Sequence, residues 1–132
     1  MNKICTSIEQ SKKLIELGID VNTADMFWDT AEPDKRRKPL VGPISDYYDM
    51  GNWAVPAWSL TALLKFIPKH PKHIKNVNVL RIDNDEKDFS IWYDEIGCGV
   101  NTELPDITME DPVDACVEMI LKLHELNLLR TE

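Results

Sequence analysis

Val77-Asn78-Val79-Leu80-Arg81-Ile82, then Asp83-Asn84-Asp85-Glu86-Lys87, then Asp88-Phe89-Ser90-Ile91-Trp92-Tyr93 is the stretch that decides the fold class. Its flanks are rich in β-branched and aromatic residues and its centre is polar, the pattern of two strands around a turn. Phe89, Ile91 and Tyr93 alternate onto one face, so the second strand has an apolar side that must be covered. A β-hairpin over about 77–94 is therefore predicted, and the covering layer has to come from the rest of the chain.

Working outward, Asp111-Pro112 reads as an N-cap followed by a first-turn proline, opening a helix over about 111–126. Its Val113, Cys116, Val117, Ile120, Leu121 and Leu123 are apolar, and Asp114, Glu118, Lys122 and Glu125 form one polar stripe, so it is expected to be the central core helix. On the other side of the hairpin, Pro56 suits a first helical turn and Pro68 a stop, which predicts a helix over about 56–67 carrying Trp58, Leu60, Leu63, Leu64, Phe66 and Ile67. Near the start, Thr6-Ser7-Ile8-Glu9 matches a capping box, Thr6 with Glu9, ahead of a helix over about 7–17 that ends at Gly18.

Asn22 to Asp25 reads as a turn and Met26-Phe27-Trp28 as a strand. Residues 29–55, with Pro33, Pro39, Pro43, Gly42 and Gly51, read as a long ordered excursion holding one short strand near Pro39-Leu40-Val41. The expected class is α+β: a single domain, 1–132, with a small antiparallel sheet packed against about three helices. A chain of this length buries roughly two thirds of its unfolded surface, enough for a core without staples. Cys5, Cys98 and Cys116 are odd in number and widely spaced, so no disulfide framework is expected. With no leader-like or bilayer-length apolar run, the expected location is cytoplasmic, away from membranes.

Charge is unevenly placed. Residues 83–114 hold eleven acids against Lys87 alone, whereas residues 1–82 hold twelve bases and nine acids, within a chain of net charge −8. Such a field attracts a basic partner and disfavours direct nucleic-acid binding. The run Asp83 to Asp88 has the alternating acids of a calcium loop, but Lys87 stands at a ligand position, Asp88 replaces the turn glycine, and strands replace the flanking helices. No metal or cofactor is expected there.

Other chemistry-bearing residues are scattered. Lys35-Arg36-Arg37-Lys38 and the run from Lys65 to Lys75 are basic, without the aromatics or glycine cradle of a phosphate or nucleic-acid site. His70 and His73 have zinc-like spacing but no third donor nearby in sequence. Cys116 and His124 share a helix eight positions apart, about 12 Å, too far for a nucleophile–base pair. Cys98, between Gly97 and Gly99, is the one cysteine expected to be exposed.

Asp46-Tyr47-Tyr48-Asp49-Met50-Gly51-Asn52-Trp53 concentrates large amphipathic side chains in a predicted loop, the composition of an interface. The candidate partner-binding residues are thus Tyr47, Tyr48, Met50 and Trp53, with the acidic set Asp83, Asp85, Glu86 and Asp88. They point to a protein partner or to self-association.

Three blocks, Glu9 to Gly18 with Thr23-Ala24-Asp25-Met26, Pro56 to Leu64, and Asp111 to Met119, resemble recurring segments of a group of small uncharacterised proteins. That group occurs in gut anaerobes of the Bacteroides type and in their prophage-like or mobile elements. The resemblance implies a cytoplasmic bacterial protein of accessory character and brings no functional residue with it. The residues favour a non-enzymatic interaction protein. The alternatives are an acidic mimic of nucleic acid that inhibits a DNA-binding enzyme, and a small hydrolase or transferase built on His70, His73, Cys98 and nearby carboxylates.

Overall fold

In the computed structural model, which describes residues 3–33, 37–42, 54–71 and 76–129, the chain runs α1 (Ile8–Glu16), a 3-10 turn (Val21–Thr23), β1 (Met26–Asp29), β2 (Pro39–Val41), β3 (Ala54–Ala57), α2 (Leu60–Leu64), β4 (Asn78–Asn84), β5 (Phe89–Glu95), β6 (Gly99–Val100), β7 (Ile107–Met109) and α3 (Pro112–Glu125). The class is α+β. There are two antiparallel sheets where one was expected. The first has the order β2-β1-β3, and in the second β5 is central, with β4 on one side and both β6 and β7 on the other.

The extra sheet arises because residues 54–57 are a strand and not the opening of a helix. β3 pairs with β1 in the register Met26↔Ala57 to Asp29↔Ala54, which places Pro56 opposite Phe27 on an edge strand, where a missing N–H is tolerated. The helix that follows is shorter than the predicted 56–67. Ser59 is its N-cap, with Oγ accepting from the Ala62 N–H at 3.2 Å, and it ends at Leu64. Asp25 anchors that start by accepting from both the N–H (2.9 Å) and the hydroxyl of Ser59. Trp58, freed from the helix, is fully buried and donates its indole N–H to Thr23 Oγ1 at 3.0 Å.

At α1 the capping box lies one residue later than expected. Ser7 Oγ accepts from the Gln10 N–H and the Gln10 side chain accepts from the Ser7 N–H. Both frames fit the pattern, but Thr6 is buried and its hydroxyl is engaged with Ser11 Oγ at 2.8 Å and the Trp58 N–H at 3.1 Å. The predicted N-cap of α3 holds: Asp111 accepts from the Asp114 N–H at 3.1 Å.

α3 packs on β5 and β7, and its Val113, Cys116, Ile120 and Leu123 meet Phe89, Ile91 and Tyr93 in the main core, to which α2 adds Ala62 and Leu63. A smaller cluster of Cys5, Met26 and Ala57, against Trp28, lies at the β1–β3 sheet. Among the described residues no helix is long and apolar enough to cross a membrane. Tyr47, Tyr48, Met50 and Trp53 lie outside the described residues, as do Lys35, Arg36 and His73.

Candidate interaction surface

The β4–β5 turn is closed by one carboxylate. Asp85 Oδ1 accepts from the backbone N–H groups of Lys87 (2.8 Å) and Asp88 (2.7 Å), while the Asp85 N–H donates to the Asp88 carbonyl at 3.0 Å. These bonds favour the ionised form and hold the Asp85 carboxyl below its ordinary value. Asp85 is therefore a turn-forming residue that keeps its negative charge at the exposed tip, beside exposed Asp83 and Glu86 and half-buried Asp88. Among the described residues no three His, Cys, Asp or Glu side chains are grouped to hold a metal ion.

Because strand residues alternate, the face opposite the core carries Ser90, Trp92 and Asp94 of β5, with Asp83, Arg81 and Val79 as their direct partners on β4 and Thr108 beside Ser90 on β7. Trp92 is half-buried. Its indole N–H donates to Asp94 Oδ1 at 2.9 Å, and Arg81 Nε donates to Asp94 Oδ2 at 3.2 Å. One carboxylate thus fixes both an aromatic ring and a guanidinium on this outer face. Ser90 and Thr108 are joined through their hydroxyls at 2.9 Å. α3 lies on the core side, and among the described residues no helix packs on the outer side.

The acids of 83–114 divide into engaged and unengaged groups. Asp94 is held by Arg81, Asp114 pairs with Lys3 at 2.6 Å, Asp111 accepts from the Lys3 N–H, and Glu95 accepts from Asn76. Among the described residues Asp83, Glu86, Asp88, Glu103, Asp106 and Glu110 have no hydrogen-bonding or ionic side-chain partner. Glu110 follows Met109, the partner of Phe89, so it lies at the same end of the sheet as Asp88. Farther along, Glu103, Leu104, Asp106, Ile107, Lys122 and Glu125 help to line a cavity of about 280 Å³.

Cys5, His70, Cys98 and Cys116 lie on separate segments, and His124 shares α3 with Cys116 eight positions along. Cys98 is exposed in the turn between β5 and β6, where Gly97 and Gly99 have φ of +88° and +84°, a region that side chains rarely adopt. His70 lies against the edge of β4, its Nδ1 3.3 Å from the Asn78 carbonyl. Cys116 is buried, and burial pushes its thiol up to about 12. Cys5, also buried, is pushed up to about 11 by burial, with Asp25 adding to the effect. Neither thiol is prepared for nucleophilic attack.

Sequence reasoning singled out the acidic turn and missed Trp92, Arg81 and Asp94. The alternation that assigns Phe89, Ile91 and Tyr93 to the core also assigns Trp92 to the opposite face, so the signal was present. Comparisons of the chain with protein-family models, with curated proteins and with solved structures return no match.

Proposed function

We propose that this protein is a non-enzymatic accessory protein that binds a basic partner protein through the outer face of its four-stranded sheet and the acidic turn end of that sheet. The observation that supports this reading is an indole, Trp92, fixed by Asp94 on a sheet face that no helix covers among the described residues, beside carboxylates that have no partner among them. A held aromatic side chain offers contact area at small entropic cost, and the surrounding acids steer and select a partner of opposite charge. The aromatic segment Tyr47 to Trp53 adds contact area to the same reading by its composition. The resemblance to proteins of gut anaerobes and their mobile elements fits an accessory role in a bacterial cytoplasm.

The test is affinity capture from host lysate with three folded baits: wild type, Trp92→Ala, and the triple reversal Asp83→Lys, Glu86→Lys, Asp88→Lys. Basic proteins retained by wild type, lost from both variants and released by raised salt support the proposal. An identical set on all three baits contradicts it. These carboxylates, without a partner among the described residues, also favour a second reading, a mimic of the nucleic-acid backbone. In that case DNA-binding enzymes are retained by Trp92→Ala and lost from the triple reversal.

A further inference from the structure

Among the described strands β4 lies at the edge of its sheet, and its hydrogen-bonding groups divide by parity. Val77 and Ile96 form a hydrogen-bonded position, so Val79, Arg81 and Asp83 turn their backbone groups toward β5. Asn78, Leu80, Ile82 and Asn84 turn theirs away from the sheet. The near end of this edge is occupied: the Leu80 N–H donates to the Lys69 carbonyl at 3.0 Å, and His70 Nδ1 lies by the Asn78 carbonyl. Among the described residues, nothing pairs with the Leu80 carbonyl, the N–H and carbonyl of Ile82, or the Asn84 N–H. Ile82 is 45% exposed although its inward neighbour on β5, Ile91, is fully buried.

We infer that this edge is the contact between two copies of the chain, β4 against β4 in antiparallel register about a two-fold axis at Ile82. Parity and charge select that register. With Ile82 opposite Ile82 of the second copy, two backbone hydrogen bonds form, between the N–H and carbonyl groups of the two Ile82 residues. Arg81 then faces Asp83 of the second copy, twice, on the outer face. On the core face the two exposed Ile82 side chains meet and continue the row of Ile91. A shift of the axis to Arg81 sets two arginines opposite each other, and a shift to Asp83 sets two aspartates opposite each other. The overlap ends at Arg81, because the Lys69 carbonyl fills the place at the Leu80 N–H that the Asn84 carbonyl of the second copy would take, and there the acidic tip of one copy approaches Lys69 of the other.

The contact is isologous and joins two four-stranded sheets into one, with both Trp92 faces on the same side. It removes an edge that otherwise invites irregular pairing. It does not rest on the basic-partner proposal, because the edge backbone groups left unpaired among the described residues carry it, although the Arg81–Asp83 pairs it forms lie on the outer face.

Sedimentation equilibrium of the full chain from ~10 µM to ~1 mM, a range suited to a small interface, tests the inference. Wild type is expected to pass from its 15.2 kDa monomer mass to twice that mass with rising concentration. Asp83→Lys and Arg81→Asp, both at exposed positions, should each weaken association at least about tenfold, and the double swap should recover most of it. Amide exchange at Ile82 should slow as concentration rises. A monomer across the whole range overturns the inference, as does a dimer indifferent to the single reversals or unprotected at this amide. If the Ile82 amide becomes protected only when a basic partner is added, the edge receives an extended segment of that partner and the two-copy inference fails.

Discussion

At the scale of single residues, the polar groups inside this protein are positioned by reciprocal bonds. Asn78 is 1% exposed, donates to the Asn76 carbonyl at 2.9 Å, and accepts from Asn101 Nδ2 at 2.8 Å. Asn78→Ala leaves those partners unsatisfied and should cost about 1–3 kcal/mol in a denaturant titration. The cysteines make a sharper test, since Cys98 is exposed and Cys5 and Cys116 are buried. A chromogenic thiol reagent should titrate Cys98 alone in the native protein and all three cysteines after unfolding. Because the folded thiols of Cys116 and Cys5 are raised to about 12 and about 11, their contribution to stability is full below an unfolded thiol value of about 8.5. It is lost as pH rises through the folded values, because the unfolded chain releases these protons first. Tyr93, raised by burial, acts in the same direction. Urea midpoints should therefore fall above about pH 9, and Cys116→Ala should flatten that slope.

At the scale of elements, a hairpin with one apolar face has opposite tolerances on its two sides. Ile91→Ala, at a fully buried position, should cost about 2–5 kcal/mol, whereas Trp92→Ala on the outer face should leave a folded protein. Asp25→Ala should remove two bonds that anchor the start of α2 and cost about 1.5–3 kcal/mol, the range for hydrogen bonds to a charged group, read as a lowered melting temperature. The hairpin and α3 were legible in the sequence because each has local chemistry that points one way: alternation about a polar turn, and Asp-Pro before an apolar run. Residues 54–59 were not. A proline that starts a helix and a proline in an edge strand share the same cause, a fixed φ and no N–H, and only the pairing with β1 decides between them. At α1 two overlapping frames matched the capping pattern, and the long-range contact of Thr6 with Trp58 selected the second. The candidate surface was legible as charge and not as geometry, since Asp85 closes its own turn and the Arg81–Trp92 pairing follows from a register that charge counting does not specify.

At the scale of the whole molecule, the asymmetry of charge is partly resolved within the fold, where Lys3 and Arg81 each neutralise an acid. What remains lies at the turn end of the four-stranded sheet and around the cavity at the end of α3. The proposed basic partner is therefore expected on the outer face of the sheet, on the side away from the core helices. The most direct test is a heteronuclear NMR titration of the labelled chain with a short lysine- and arginine-rich peptide. Shifts concentrated at Val79, Arg81, Asp83, Ser90, Thr108 and the Trp92 indole N–H, and abolished by raised salt, are the predicted result. Shifts confined to α1 or α3, or none at these positions at saturating peptide, would contradict the assignment of the outer sheet face as the interaction surface.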